Sequence, residues 1–137
     1  MSKKGSVLAI DDAPMILRLL SDILKEDYDI FISKNGENGV KLAVENLPDV
    51  VLLDVTMPNL SGFDVIKILK QNDKTKNIPV IFITGDDSNN VESEGYALGA
   101  VDYIKKPFVT TVVKHKVDFV MEFVRMRHAL ADEGIVL

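Results

Sequence analysis

Apolar positions along this chain follow two alternating patterns. Val7-Leu8-Ala9-Ile10, Val50-Val51-Leu52-Leu53 and Val80-Ile81-Phe82-Ile83 are unbroken apolar runs. Runs of this length without polar alternation suit strands covered on both faces, as in a parallel sheet. Ile30-Phe31-Ile32 and Val101-Asp102-Tyr103-Ile104 are weaker strand candidates, being more polar or nearer turns. Between these runs the spacing turns helical. Met15, Ile16, Leu19, Leu20, Ile23 and Leu24 follow Pro14, a favoured first-turn residue. Val40, Leu42, Ala43, Val44 and Leu47 predict a second helix before Pro48, with Gly36-Glu37-Asn38-Gly39 as turn and helix start. Phe63, Val65, Ile66, Ile68 and Leu69 predict a third, entered after Gly62. From Ser88 to Leu98 two asparagines and Gly95 leave few apolar positions, so a helix there is weak. A long apolar helix runs from about Thr110 towards Ala131. Strand–helix units in strict alternation predict an α/β fold, a doubly wound five-stranded parallel sheet flanked by five helices.

Composition narrows the classes. At 137 residues and 47% apolar, the chain fits one compact domain. Its net charge of −5 argues against direct nucleic-acid binding by this segment. The absence of cysteine excludes disulfides, zinc–thiolate sites and thiol catalysis. The apolar stretch after the amino terminus is cut short by Asp11 and Asp12, too soon for a signal peptide. No run approaches the ~18 apolar residues of a membrane span. The expectation is a cytoplasmic protein with no membrane partner.

Acidic residues stand at strand ends: Asp11 and Asp12 after the first run, Asp54 after the third. Ligands of open parallel sheets bind beyond the carboxyl ends of strands. If the first and third strands are neighbours, three carboxylates converge and repel unless a cation sits among them. Oxygen ligands without cysteine or nearby histidine favour Mg²⁺. Thr84 ends the fourth run and offers a hydroxyl, with Gly85 leaving room above it. Lys105-Lys106-Pro107 ends the fifth, bringing an ammonium to the same edge. A carboxylate nucleophile, a cation and a lysine are suitable parts for making an aspartyl phosphate. Taken singly, each has a plainer reading: the Asp11-Asp12 pair as a helix cap, Thr84-Gly85 as a turn, Tyr103 as packing.

The ordered set Asp11-Asp12, Asp54-Val55-Thr56-Met57-Pro58-Asn59-Leu60-Ser61-Gly62, Thr84-Gly85 and Gly99-Ala100-Val101-Asp102-Tyr103-Ile104-Lys105-Lys106-Pro107-Phe108 resembles the response-regulator receiver domain of two-component signalling. The resemblance covers residues 6–125, leaving 126–137 as an extension of the last helix. It implies a flavodoxin-like strand order of 2-1-3-4-5. It also implies that Asp54 accepts a phosphoryl group from a histidine kinase or phosphotransfer protein. Asp12, Asp54 and the Thr56 backbone carbonyl would bind Mg²⁺ directly, and Asp11 through water. Thr84 and Lys106 would hold phosphoryl oxygens, and the Lys106–Pro107 peptide would be cis. On phosphorylation Thr84 would move and Tyr103 would enter the vacated space. The weak helix after Thr84, the fifth strand and the last helix would then carry the output. Gly85 stands where alanine is more usual, and side chains at Thr56 and Asp86 would tune phosphoryl lifetime. The resemblance implies a phosphoacceptor and no enzyme beyond self-phosphorylation and slow autodephosphorylation.

Three other readings share parts of this pattern. A haloacid-dehalogenase-type phosphatase would carry a second aspartate where Thr56 stands, and a flavodoxin would carry a phosphate loop where Asp11-Asp12-Ala13-Pro14 stands. A receiver-like module that binds partners without phosphorylation would normally have lost an acidic residue or the lysine. In the last helix, Val113, Val117, Val120 and Val124 are spaced to pack on the sheet. Phe119, Phe123, Met126 and Leu130 form a second stripe with coiled-coil spacing. That stripe is either the flank of a wide core-facing helix, a dimer contact, or the continuation into an output domain missing from this chain. His115 and His128 lack partners for a metal site and read as surface or interface residues. The ending Gly134-Ile135-Val136-Leu137 reads as an arbitrary stop.

Overall fold

The computed structural model describes residues 3–85 and 89–135. Strands and helices alternate along them: β1 (Ser6–Ile10), α1 (Pro14–Leu24), β2 (Asp29–Ser33), α2 (Gly36–Asn46), β3 (Val50–Asp54), α3 (Gly62–Gln71), β4 (Val80–Thr84), α4 (Asn89–Ala97), β5 (Asp102–Lys105) and α5 (Thr110–Asp132). The five strands form one sheet in the order β2-β1-β3-β4-β5, every pair parallel. This is the expected doubly wound fold. The order itself came from the resemblance, since periodicity says nothing about which strands are neighbours.

Covering on both faces explains the unbroken apolar runs. Val7, Ala9, Val50, Leu52, Ile81 and Ile83 belong to a core shared with α1 and α5. Their neighbours Leu8, Ile10, Val51, Leu53, Val80 and Phe82 belong to a second core, with α2 and α3. A strand with both faces buried has no polar alternation to show.

Register places the functional edge. Ile10 pairs with Leu53, Asp54 with Ile83, and Thr84 with Lys105. Asp11, Asp54, Thr84 and Lys106 therefore stand within a residue or so of one level at the carboxyl ends of four strands.

The helix ends show how each loop is fixed. Pro14 opens α1 and Ala13 is its N-cap, without a side-chain cap, so the acidic pair does not cap this helix. The Asn35 side chain accepts the Asn38 N–H and starts α2 at Gly36, so Gly36–Gly39 is helix throughout with no preceding turn of its own. Leu47 ends α2 with φ of 46°, a left-handed conformation unusual for leucine. Ser61 and Asp64 form a reciprocal capping box at the start of α3. Weak propensity in α4 does not prevent a helix of nine residues. Among the described residues no helix is long and apolar enough to cross a membrane.

The last helix divides its faces cleanly. Val113, Val117, Val120, Met121 and Val124 are buried against the sheet. Phe119, Phe123 and Met126 are 71%, 49% and 60% exposed, so α5 is no wide core-facing helix.

Ser61→Ala removes both the acceptor for the Asp64 N–H and the hydroxyl partner of its carboxylate. It is expected to cost about 1 kcal/mol. Urea unfolding should show a lower midpoint with an unchanged slope.

Candidate functional site

Eight residues line an open cleft of about 630 Å³ at the carboxyl edge: Asp11, Asp12, Ala13, Asp54, Thr56, Thr84, Gly85 and Lys106. The structure thus brings together every site residue expected at the strand ends. Tyr103 lies behind this cleft in the core, and Asp86 lies outside the described residues.

The acidic cluster is tight. Asp11, Asp12 and Asp54 each offer a carboxylate oxygen within 4.8 Å of the others. Asp11 is fully buried and Asp54 nearly so, while Asp12 is exposed. One Asp11 oxygen accepts the Ala13 backbone N–H at 2.9 Å, which fixes the carboxylate. The other, Oδ2, is buried with no hydrogen-bond donor. Lys106 Nζ lies 3.0 Å from it and 3.5 Å from Asp54 Oδ1, countering charge without the angle of a hydrogen bond.

Burial, then the charge of Asp11, pushes the Asp54 carboxyl up to about 6, against Lys106 and a hydrogen bond from the Thr56 backbone. Burial works against the Lys106 ammonium, but Asp11 and Asp54 outweigh it and hold it above the usual lysine range. A buried acceptor oxygen without a hydrogen-bond partner, beside an Asp54 carboxyl raised by burial and the Asp11 charge, marks a site short of positive charge. The all-oxygen donor set fits a hard divalent cation such as Mg²⁺.

The two lysines separate. Lys106 enters the cleft across a cis Lys106–Pro107 peptide, whereas Lys105 pairs at 3.9 Å with Glu92 of α4. The space above Gly85 is open, as expected. A Cβ there would meet nothing within 4 Å, so the space above the cleft does not depend on glycine.

Tyr103 is already inside. Its ring is 4% exposed, with centroids 5.6 Å from Phe82 and 5.2 Å from Tyr96. Its hydroxyl donates to the Val91 carbonyl at 2.7 Å and reaches the Glu92 carbonyl at 3.2 Å, both on α4. Burial, first, and the charges of Tyr96 and Glu92 raise its phenol to about 12, so it remains a donor at neutral pH.

Two residues with positional roles escaped the sequence reading. A Cβ at Gly62 would lie 2.2 Å from the Asp54 carbonyl oxygen, and the Gly62 N–H donates to the Val55 carbonyl at 2.9 Å. This glycine lets the loop close over the end of β3. A Cβ at Gly95 would lie 1.7 Å from the Tyr103 hydroxyl oxygen, so only glycine lets the tyrosine reach the α4 backbone. Gly62 had a signal in its place directly after Ser61, at a helix start. Gly95 had none beyond weakening the helix that holds it.

Known proteins share this arrangement. The family model of the response regulator receiver domain matches residues 7–118. The chain is 38% identical over 102 residues to the protein PilH of Pseudomonas aeruginosa, covering 74% of this chain and 84% of that one. It is 35% identical over 122 residues to the response regulator PleD of Caulobacter vibrioides, covering 88% of this chain but only 25% of PleD. A probable cyclic di-GMP phosphodiesterase of Vibrio cholerae is 34% identical over 129 residues, 94% of this chain and 29% of that protein. The chain thus spans under a third of several longer relatives. The solved chemotaxis protein CheY4 of Vibrio cholerae superposes with a TM-score of 0.81 at 28% identity, over 85% of this chain and 98% of that one.

The geometry has two measurable consequences. The folded Asp54 carboxyl, at about 6, lies above its unfolded value of roughly 3.9. The native state therefore holds more protons between the two values, and stability falls as pH rises through that window. In buffer free of divalent cations, Asp54→Asn should stabilise the protein by about 3 kcal/mol at pH 7.5 and by less than about 0.5 kcal/mol near pH 4. Gly95→Ala should destabilise by about 1–3 kcal/mol despite its better helix propensity. In a Tyr103→Ala background the same change should be neutral or stabilising, a coupling above about 1 kcal/mol in a double-mutant unfolding cycle.

Proposed function

Because this chain belongs to the response-regulator receiver family, we propose that it is a signalling switch set by phosphorylation of Asp54. The observation that carries this reading is the strand register, which puts one nearly buried aspartate beside two further carboxylates, a lysine and a threonine. An Asp54 carboxylate oxygen attacks the phosphorus of a phosphohistidine on a histidine kinase or phosphotransfer protein. The phosphorus–nitrogen bond breaks and its electron pair leaves with the imidazole. Lys106 and the Thr84 hydroxyl face the phosphoryl oxygens, and Thr56 and Asp86 tune the lifetime of the adduct. Asp11, Asp12, Asp54 and the Thr56 backbone carbonyl would hold Mg²⁺, which when bound supplies positive charge against the phosphoryl oxygens.

The output runs through α4, β5 and α5. Tyr103 joins β5 to the backbone of α4, and Lys116 of α5 donates to the Tyr103 carbonyl at 2.6 Å and to Asp102 at 3.0 Å. A change at Thr84 and Lys106 therefore has packed and hydrogen-bonded routes to the surface of that face. Receiver relatives are generally signalling domains without catalysis of their own, and this chain acts as a phosphoacceptor in the cytoplasm, the compartment of the kinase that serves it. An output domain beyond the matched segment would fit the length of PleD, of which that segment is only 25%.

Intact mass after incubation with acetyl phosphate should rise by about 80 Da only with Mg²⁺, and not in Asp54→Asn. No adduct, together with no binding of beryllofluoride, would leave an interaction module that works without phosphorylation.

A further inference from the structure

The exposed stripe of α5 is not explained by the phosphoryl site, and it lies too far round the helix to join the core. At ~100° per residue its centre is roughly 120° from the centre of the buried valine face. Phe119, Phe123 and Met126 are 71%, 49% and 60% exposed, and Leu130 is partly exposed. Val101, 49% exposed, extends the patch sideways across a shallow groove beside Phe119 and Phe123. Large apolar side chains grouped on one helix face mark an interaction surface.

We propose that this stripe pairs with the same stripe of a second copy, as a short parallel two-stranded coiled coil. Spacing of four, three and four assigns Phe119 and Met126 to d positions, and Phe123 and Leu130 to a positions. Glu122 then falls at g and Arg127 at the following e. In a parallel pair, g of one helix faces e of the other five residues on, so Glu122 meets Arg127 of the second copy, twice by symmetry. An antiparallel pair in the register that keeps all four apolar residues in the seam sets Glu122 against Ala129 and Arg127 against Val120. It gains no ion pair. Sliding it by one heptad brings Lys116 or Glu133 into the seam.

The two charges have capacity to spare. Glu122 is held by Arg125 one turn on, at 3.0 Å, in an exposed pair worth little. Arg127 donates one nitrogen to the Asn77 carbonyl at 2.7 Å and lies 5.3 Å above the Phe123 ring, at the border of the seam. A guanidinium has five donors, so one such contact leaves others for a partner carboxylate. The valine face remains on its own sheet, and the two domains lie on opposite sides of the paired helices.

Sedimentation of the full chain, with and without beryllofluoride, tests association separately from phosphoryl chemistry. Four apolar positions make a short seam, so dimer should be measured at chain concentrations on the order of 100 µM. Glu122→Arg and Arg127→Glu should each weaken the dimer at least fivefold, and the double exchange should restore it. The chain has no cysteine, so orientation can be read from single cysteines. Leu130→Cys and Phe119→Cys should each form a disulfide with themselves under mild oxidation, and exposed Lys114→Cys should not. Cross-links found only in a mixture of the two seam variants mean an antiparallel pair and overturn the proposal. So does a monomer throughout that range in both states, or a double exchange that fails to restore association while circular dichroism shows the variants folded.

Discussion

The carboxyl edge of the sheet depends on one opposition: two aspartates carried into the interior, Asp11 and Asp54, facing one ammonium. Lys106 stands 3.0 Å and 3.5 Å from their oxygens. It cannot balance both charges, and apart from Lys106 the Asp11 Oδ2 oxygen has no hydrogen-bond partner. The deficit is sustained because the surrounding strands leave no alternative. Asp54 ends a strand of five buried residues, and Asp11 follows another whose last four are buried. Moving either carboxylate to solvent would expose the apolar residues before it. The core thus holds the site short of positive charge, the condition that favours a bound cation.

The same rigidity decides which parts can respond. Phe82 on β4 is fully buried and touches Phe63 of α3 edge-on as well as Tyr103. The middle of the sheet is therefore packed from both sides and has little freedom. The α4 helix differs. Its composition barely favours a helix, and among the described residues its links to the rest include the Tyr103 hydroxyl on its backbone, Lys105 to Glu92, the Tyr96–Tyr103 ring contact and the packing of Val91 on the core. A helix of weak intrinsic propensity can change position at smaller cost than a strand packed on both faces.

Much of this was legible in the sequence because burial on two faces leaves a simple mark. The three unbroken runs gave the central strands, and the acidic residues after two of them gave the carboxylate cluster of the cleft. Strand order was not legible that way, because neighbours in a sheet share no local pattern; it needed the motif resemblance. The glycines were harder still. Gly85 faces open space, while Gly62 and Gly95 make close contacts that depend on the surrounding fold. A missing Cβ has the same appearance in a sequence whether it faces solvent, a carbonyl oxygen or a tyrosine. Tyr103 was expected to enter space vacated by Thr84 on phosphorylation; its ring is buried here in the room that Gly95 provides.

That early burial changes what the proposed switch has to do. If the ring is already seated, a phosphoryl group at Asp54 does not have to draw it inward. It has to shift the balance between seated and unseated populations, by as much as its contacts with Thr84 and Lys106 differ between the two. Gly95 sets the starting point of that balance, since it permits the seated state, and Lys116 ties the result to α5 through the Tyr103 carbonyl. The unphosphorylated chain would then lie partly along the path to its active form. In such a protein the phosphoryl group raises an output that is already measurable, and removing the seat at Gly95 should lower the resting level as well as the response.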